Sequence, residues 1–235
     1  MEANTRETDT SVTIEPRVAV VGLGGAGCNV ASVFYNELAP VDAIAINTDK
    51  KALDETSADK KIYICKAVTK GEGTRGDARL GSRCAKVHED AIEKALVGHD
   101  IVFLIAGLGG GTGTGAASVV AEICNRNGIP VFAVAINPFS FETGRIPVAR
   151  HGLRMIRAVC PNTFTVENDK ILGLMPDATI DEAMRAVNLS ITSFVRKTAD
   201  EFASKIEKEM SSEKQTSSGR IGDMPEIQAM PRIKT

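Results

Sequence analysis

The chain has 235 residues, 43% of them hydrophobic and 25% charged, with a formal net charge of −2 and a pI of about 6.0. That suits a soluble globular protein with room for a core, and no basic excess points to nucleic acid. Met1–Pro16 is polar, so no secretory leader is expected, and the longest apolar runs, such as Ile101–Ala106, are strand-length and too short to span a bilayer. The five cysteines are scattered without a C-x-x-C pair, and the three histidines lie far apart. They read as reduced thiols of a cytoplasmic protein with no zinc or other metal site.

In chain order, residues 1–16 are expected to form a disordered arm. Short apolar runs then alternate with helical stretches. Predicted strands are Val18–Val21, Ala43–Ile46, Ile62–Ile64, Ile101–Ile105, Val131–Ile136 and Thr163–Val166. Several are almost continuously apolar, the pattern of strands covered on both faces. Predicted helices run from Gly27 to about Leu38, Arg75–Leu96, Gly113–Asn127 and Ile146–Val159. The βαβ alternation predicts a three-layer, doubly wound α/β domain over residues 17–178 with a mostly parallel sheet. In such sheets ligands sit at the carboxyl ends of the strands.

A long helix is predicted over 179–210, capped by Asp177 or Thr179, with Asp181 and Glu182 in its first turn. Its apolar stripe includes Ile180, Met184, Val187, Ile191, Val195, Phe202 and Ile206 at the 3.6-residue period. Past Val195 that stripe needs a cover, because Phe202 and Ile206 would each forfeit on the order of 1.5–3 kcal/mol in water. The cover is either the chain's own domain or, through the 195–210 segment, a homodimer or partner protein. Residues 211–235 turn to Ser, Glu, Lys, Gly and Pro and read as a disordered tail.

Two turns carry the chemistry. Gly22–Gly27 joins a strand to a helix and lets main-chain N–H groups approach a phosphate. Alone it also satisfies the dinucleotide pattern G-x-G-x-x-G, with Asp49 near the place of the acidic partner. The second turn, Gly107–Gly115, holds six glycines and two threonines in nine residues. Such density is costly to order and makes sense as a wrapped anion site, with main-chain amides and the Thr112 and Thr114 hydroxyls around a di- or triphosphate. The lysine-bearing P-loop pattern is absent.

Gly107–Ala117 resembles the signature of the tubulin/FtsZ family, in its FtsZ form. Gly22–Asn29, Asn47–Asp49, Thr69–Gly76, Pro138–Glu142 and Val166–Lys170 resemble its other nucleotide loops in order, and Asp181–Ala203 its central helix. The resemblance implies a guanine nucleotide, GTP or GDP, with Mg2+ as an optional companion. It implies phosphate binding by Gly24, Gly25, Gly107, Gly109, Gly110, Gly111, Thr112 and Gly113, a ribose contact from Glu142, and base reading by Asn29, Asn168 and Asn188. An asparagine amide offers both donor and acceptor to a base edge.

The sequence departs from the family in three places. Arg75 stands in the loop expected near the γ-phosphate, where a charge-assisted contact would favour the triphosphate. Met184 replaces the phenylalanine expected on the base, where its thioether can still pack on a ring, and Arg145 is shifted from the arginine expected in the ribose loop. The acidic catalytic loop that follows the central helix is not found; Lys197–Phe202 stays in helical register. No catalytic residue is assigned. The expectation is a nucleotide-dependent switch, regulator or assembly subunit with weak or no hydrolysis. The alternatives are a GTPase using Asp200, Glu201 or a partner's acidic residue, and a nicotinamide-binding protein using Gly22–Gly27 alone.

Overall fold

The structure, a computed structural model, describes residues 15–36 and 41–218. Residues 1–14 of the predicted terminal arm, and the predicted tail beyond Ser218, lie outside the described residues. Among the described residues, 15–199 form one compact unit and 200–218 belong to a second.

The first unit carries β1 (Val18–Leu23), α1 (Gly24–Ala31), β2 (Val41–Asn47), α2 (Lys50–Glu55), β3 (Lys60–Tyr63), α3 (Lys66–Thr69), α4 (Ala78–Val87), α5 (Glu89–Leu96), β4 (Ile101–Gly107), α6 (Gly111–Arg126), β5 (Val131–Asn137), α7 (Ile146–Val159), β6 (Thr163–Glu167) and α8 (Asn168–Leu174). The helix α9 (Ile180–Ser218) follows. The strands form one sheet in the order β3-β2-β1-β4-β5-β6, and every pairing is parallel. This is the doubly wound fold the apolar runs predict. The central strands β1 and β4 are buried along almost their whole length, as strands between two helix layers must be.

The element bounds differ from the pattern in instructive ways. The stretch predicted as one helix over Arg75–Leu96 is two, α4 and α5, broken at His88. Asp77 sets the start of α4: its Oδ1 accepts from the backbone N–H of Arg79 at 2.8 Å and of Leu80 at 3.1 Å. The short helices α2, α3 and α8 are too brief for a helical period to betray them. Thr179 caps α9 through a reciprocal box: its N–H and hydroxyl donate to Glu182 Oε2 at 2.8 Å, and Glu182 N–H donates back to Thr179 Oγ1. Those bonds hold the Glu182 carboxyl below the usual range.

One expectation is overturned. Cys65 and Cys84 form a disulfide, with Cα atoms 5.2 Å apart and a sequence separation of 19. Cys65 ends the turn after β3 and Cys84 lies on the buried face of α4, so the fold brings them together where spacing alone pairs nothing. Cys28, Cys124 and Cys160 are free and buried.

Candidate nucleotide-binding site

Among the cavities at the carboxyl ends of the strands, two share walls across the glycine turns. The first, of about 330 Å³, is lined by Gly24 and Gly25 of the first turn, by Gly107, Gly110, Gly111, Thr112 and Gly113 of the second, and by Asn47, Asp49, Arg75 and Arg145 among others. The second, of about 310 Å³, has Ala26, Gly107, Leu108 and Arg145 in common with it and adds Phe139, Phe141, Glu142, Asn168, Ile180 and Met184. The shared walls make one elongated site with a glycine-lined end and an apolar end.

The glycine-lined end is made of main chain. Helices α1 and α6 open on it, and neither has a side-chain cap or an acidic residue in its first turn. Elsewhere α2 and α4 are capped by Asp49 and Asp77. Uncapped first-turn N–H groups and the positive end of the helix dipole favour an anion there. Both arginines in the wall are engaged by carboxylates: Arg75 by Glu72, and Arg145 by Glu142 at 2.7 Å. The positive potential therefore comes chiefly from amide dipoles.

The second turn is fastened by hydroxyls. Thr112 Oγ1 lies 2.7 Å from Thr48 Oγ1, joining the second turn to the end of β2. Thr114 Oγ1 accepts from Gly109 N–H at 2.9 Å. The Thr114 hydroxyl, expected to face the anion, thus holds the turn in shape instead. Gly24 has φ +67 and Gly109 φ +88, a region only glycine enters freely. A Cβ on Gly109 would come within 2.8 Å of Arg145 Cβ, and one on Gly113 within 2.5 Å of Gly107 O. Gly111 and Gly115 lie against α4 and the loop before it, where a side chain would overlap Thr74 and Ala78. Much of the second turn's glycine content thus serves close packing, while Gly110 faces open space.

The apolar end is built from side chains. Phe139 and Phe141 stack at 5.0 Å, and Met184 and Ile180 of α9 complete the wall. Glu142 Oε2 accepts from Phe139 N–H at 3.0 Å while its other oxygen holds Arg145. Asn168, at the start of α8, is 5% exposed. Its Oδ1 is a buried acceptor with no hydrogen-bond partner, and such a group normally has one.

A model of the tubulin/FtsZ family GTPase domain matches residues 17–176. The chain belongs to the tubulin/FtsZ family. It is 39% identical over 183 residues to cell division protein FtsZ 2 of Methanocaldococcus jannaschii, covering 77% of this chain and 48% of that protein. It is 38% identical over 173 residues to cell division protein FtsZ of Neisseria gonorrhoeae, covering 73% of this chain and 44% of that one. Among solved structures, the empty FtsZ dimer of M. jannaschii superposes with a TM-score of 0.75 at 34% identity, over 80% of this chain and 55% of that one. The GTPγS-bound protofilament of CetZ2 from Haloferax volcanii gives 0.69 at 26% identity, over 80% and 58%. The chain spans about half the length of the curated relatives it matches.

As a tubulin/FtsZ GTPase domain the chain accounts for both glycine turns, which a nicotinamide reading does not. Strand order alone would not separate the two, since dinucleotide-binding domains can share it. Of the residues singled out in the sequence, Gly24, Gly25, Gly107, Gly110, Gly111, Thr112, Gly113, Arg75, Arg145, Glu142, Asn168 and Met184 line the site. Gly109 shapes the turn behind it. Asn29 is exposed on α1 and Asn188 half-buried on α9; neither lines either cavity. Sequence reasoning missed the Thr48–Thr112 strap and the Ile180 wall. Thr48 sits within the Asn47–Asp49 motif, but nothing local marks its partner. Among the described residues no helix is long and apolar enough to cross a membrane.

Proposed function

We propose that this chain binds a guanine nucleotide, GTP or GDP, with magnesium as a companion of the triphosphate, and acts as a nucleotide-dependent switch, regulator or assembly subunit. The observation that carries the reading is the unpartnered Asn168 Oδ1 in the wall of the apolar end. Guanine's Watson–Crick edge offers ring and amino N–H donors to such an acceptor, and a bare acceptor discriminates against adenine's ring nitrogen at that place. The uncapped helices α1 and α6 suit the phosphates, Glu142 the ribose, and Met184 the base plane. Residues 17–178 would be the nucleotide-binding unit.

Weak or absent self-hydrolysis is part of the proposal. Lys197–Phe202, where an acidic loop is expected, lies inside α9, and helical register holds Asp200 and Glu201 as surface residues. The second reading, a GTPase with a partner-supplied acid, predicts phosphate release that rises with protein concentration. The 195–210 part of α9 is proposed as the contact to a second copy or a partner, tested by light scattering. Titration calorimetry with GTP, GDP and ATP tests the core of the reading. Saturable guanine-nucleotide binding, at least about tenfold tighter than ATP, is expected; no heat and no saturation with GTP refutes it.

A further inference from the structure

The segment between Cys65 and Cys84 contains Glu72, Gly73, Thr74, Arg75 and Gly76, all in the wall of the glycine-lined cavity. It is an expensive conformation: Lys70, Gly71, Gly73, Arg75 and Gly76 all have positive φ, which costs most at the two non-glycine positions. Local bonds help hold it. Lys50 N–H donates to Gly71 O at 3.0 Å and Glu72 N–H to Thr69 O at 2.9 Å, while Thr69 Oγ1 donates to Thr48 O at 3.1 Å. The disulfide closes the segment into a ring whose far side, α4, packs through Gly81 against Gly111.

We infer that Cys65 and Cys84 form a reversible dithiol–disulfide site that latches the cavity-lining segment, and that its reduction loosens this segment and weakens triphosphate binding. The nucleotide consequence rests on the function proposed above; the latch itself does not.

The other thiols are poor competitors for this chemistry. Cys28, Cys124 and Cys160 are at most 1% exposed, and burial pushes the Cys28 and Cys124 thiols up to about 12. Cys65, at 8% exposed against 0% for Cys84, is the less deeply buried partner and the one we assign as the sulfur attacked. A thiolate of an external dithiol attacks Cys65 Sγ and the Cys65–Cys84 bond breaks. Cys84 leaves as a thiolate and takes a proton from solvent. The second thiol of the reductant then displaces Cys65, so two electrons pass to the protein and the reductant leaves as its cyclic disulfide. A disulfide oxidant reverses the sequence.

Reduction need not unfold the domain. His88 ties the same two residues through their backbones: Cys65 N–H donates to its Nε2 at 3.4 Å, and its Nδ1 lies 3.0 Å from Cys84 O. The pair of contacts calls for the tautomer with hydrogen on Nδ1. The ends of the ring stay close while the loop between them gains freedom.

The test uses the full chain, equilibrated with oxidised glutathione or with a dithiol. Thiol titration in denaturant should count three free thiols, those of Cys28, Cys124 and Cys160, in the oxidised form and five after reduction. Hydrogen exchange over residues 66–83 should accelerate about tenfold on reduction, with β5 unchanged. GTP should bind about tenfold more weakly and GDP less affected, if the segment, which lines the glycine-lined cavity, meets the last phosphate as the proposed function has it. Cys65→Ser, and separately Cys84→Ser, should exchange like the reduced protein in both buffers. Five thiols under oxidising conditions, or equal exchange over 66–83 in both forms, overturns the inference. If exchange responds but neither form binds GTP, the latch stands and the nucleotide reading fails.

Discussion

The two ends of the site are built from different materials. At the glycine-lined end the recognition surface is backbone, and the residues that shape it are also those that let α4, α6 and the β1 and β4 ends pack closely. At the apolar end the surface is side chain, carried on the loop after β5 and on α8 and α9, and apart from Glu142, which holds that loop, we expect these side chains to matter less to the fold. Substitution should therefore damage fold and binding together at the first end, and chiefly binding at the second.

The sharpest way to break that contrast is Gly113→Ala. Its Cβ would lie within 2.5 Å of Gly107 O, a backbone atom that cannot rotate away. We expect about 2–3 kcal/mol of destabilisation, read as a fall in the chemical-denaturation midpoint, together with loss of GTP binding. A stable Gly113→Ala protein that still binds would erase the distinction. Next in size, Asn168→Leu should weaken GTP about tenfold through loss of the buried acceptor, while the nucleotide-free protein holds or gains stability because an unpartnered polar group has gone. A matching fall in stability would place Asn168 with the packing residues instead.

Arg75→Ala sharpens the contrast, since Arg75 is a side chain at the backbone end. Its guanidinium is committed to Glu72 and largely exposed, so we expect only a few-fold loss of GTP over GDP preference. An unchanged preference, measured by competition titration, removes Arg75 from triphosphate recognition. The smallest effect lies away from the site. Burial pushes the Asp42 carboxyl up, but hydrogen bonds and charge from Lys60 and His99 hold it below its ordinary value overall. The contribution is present above the unfolded carboxylate's pKa of about 3.9 and is lost as pH falls through the folded value. Asp42→Asn should flatten the acid limb of stability below about pH 4 and leave neutral stability little changed, because the pair is partly exposed.

The backbone end was legible in the sequence because glycine is the one residue whose identity reports main-chain geometry: Gly107–Gly115 names its own conformation. The strands were legible because burial on both faces leaves uninterrupted apolar letters. The apolar end was read mainly through family resemblance, and with more scatter. Asn29 and Asn188 do not reach the cavity walls, and Ile180 read as helix stripe alone. The disulfide was invisible for the same reason: Cys65, in the turn after β3, meets Cys84 on the buried face of α4, which no local pattern encodes. The break at His88 was hidden because the amphipathic period runs through α4 and α5 almost in phase.

The contact of Gly81 with Gly111, and of Gly115 with Ala78, has a consequence for how such sequences drift. A descendant that gave up its ligand would still need hydrogen side chains at these positions to keep two helices in touch. Gly25 and Gly110, with open space before them, would be free to change first. The survival of a glycine-rich stretch is thus a record of helix spacing as much as of cargo, and the positions at which it erodes would say which duty was abandoned.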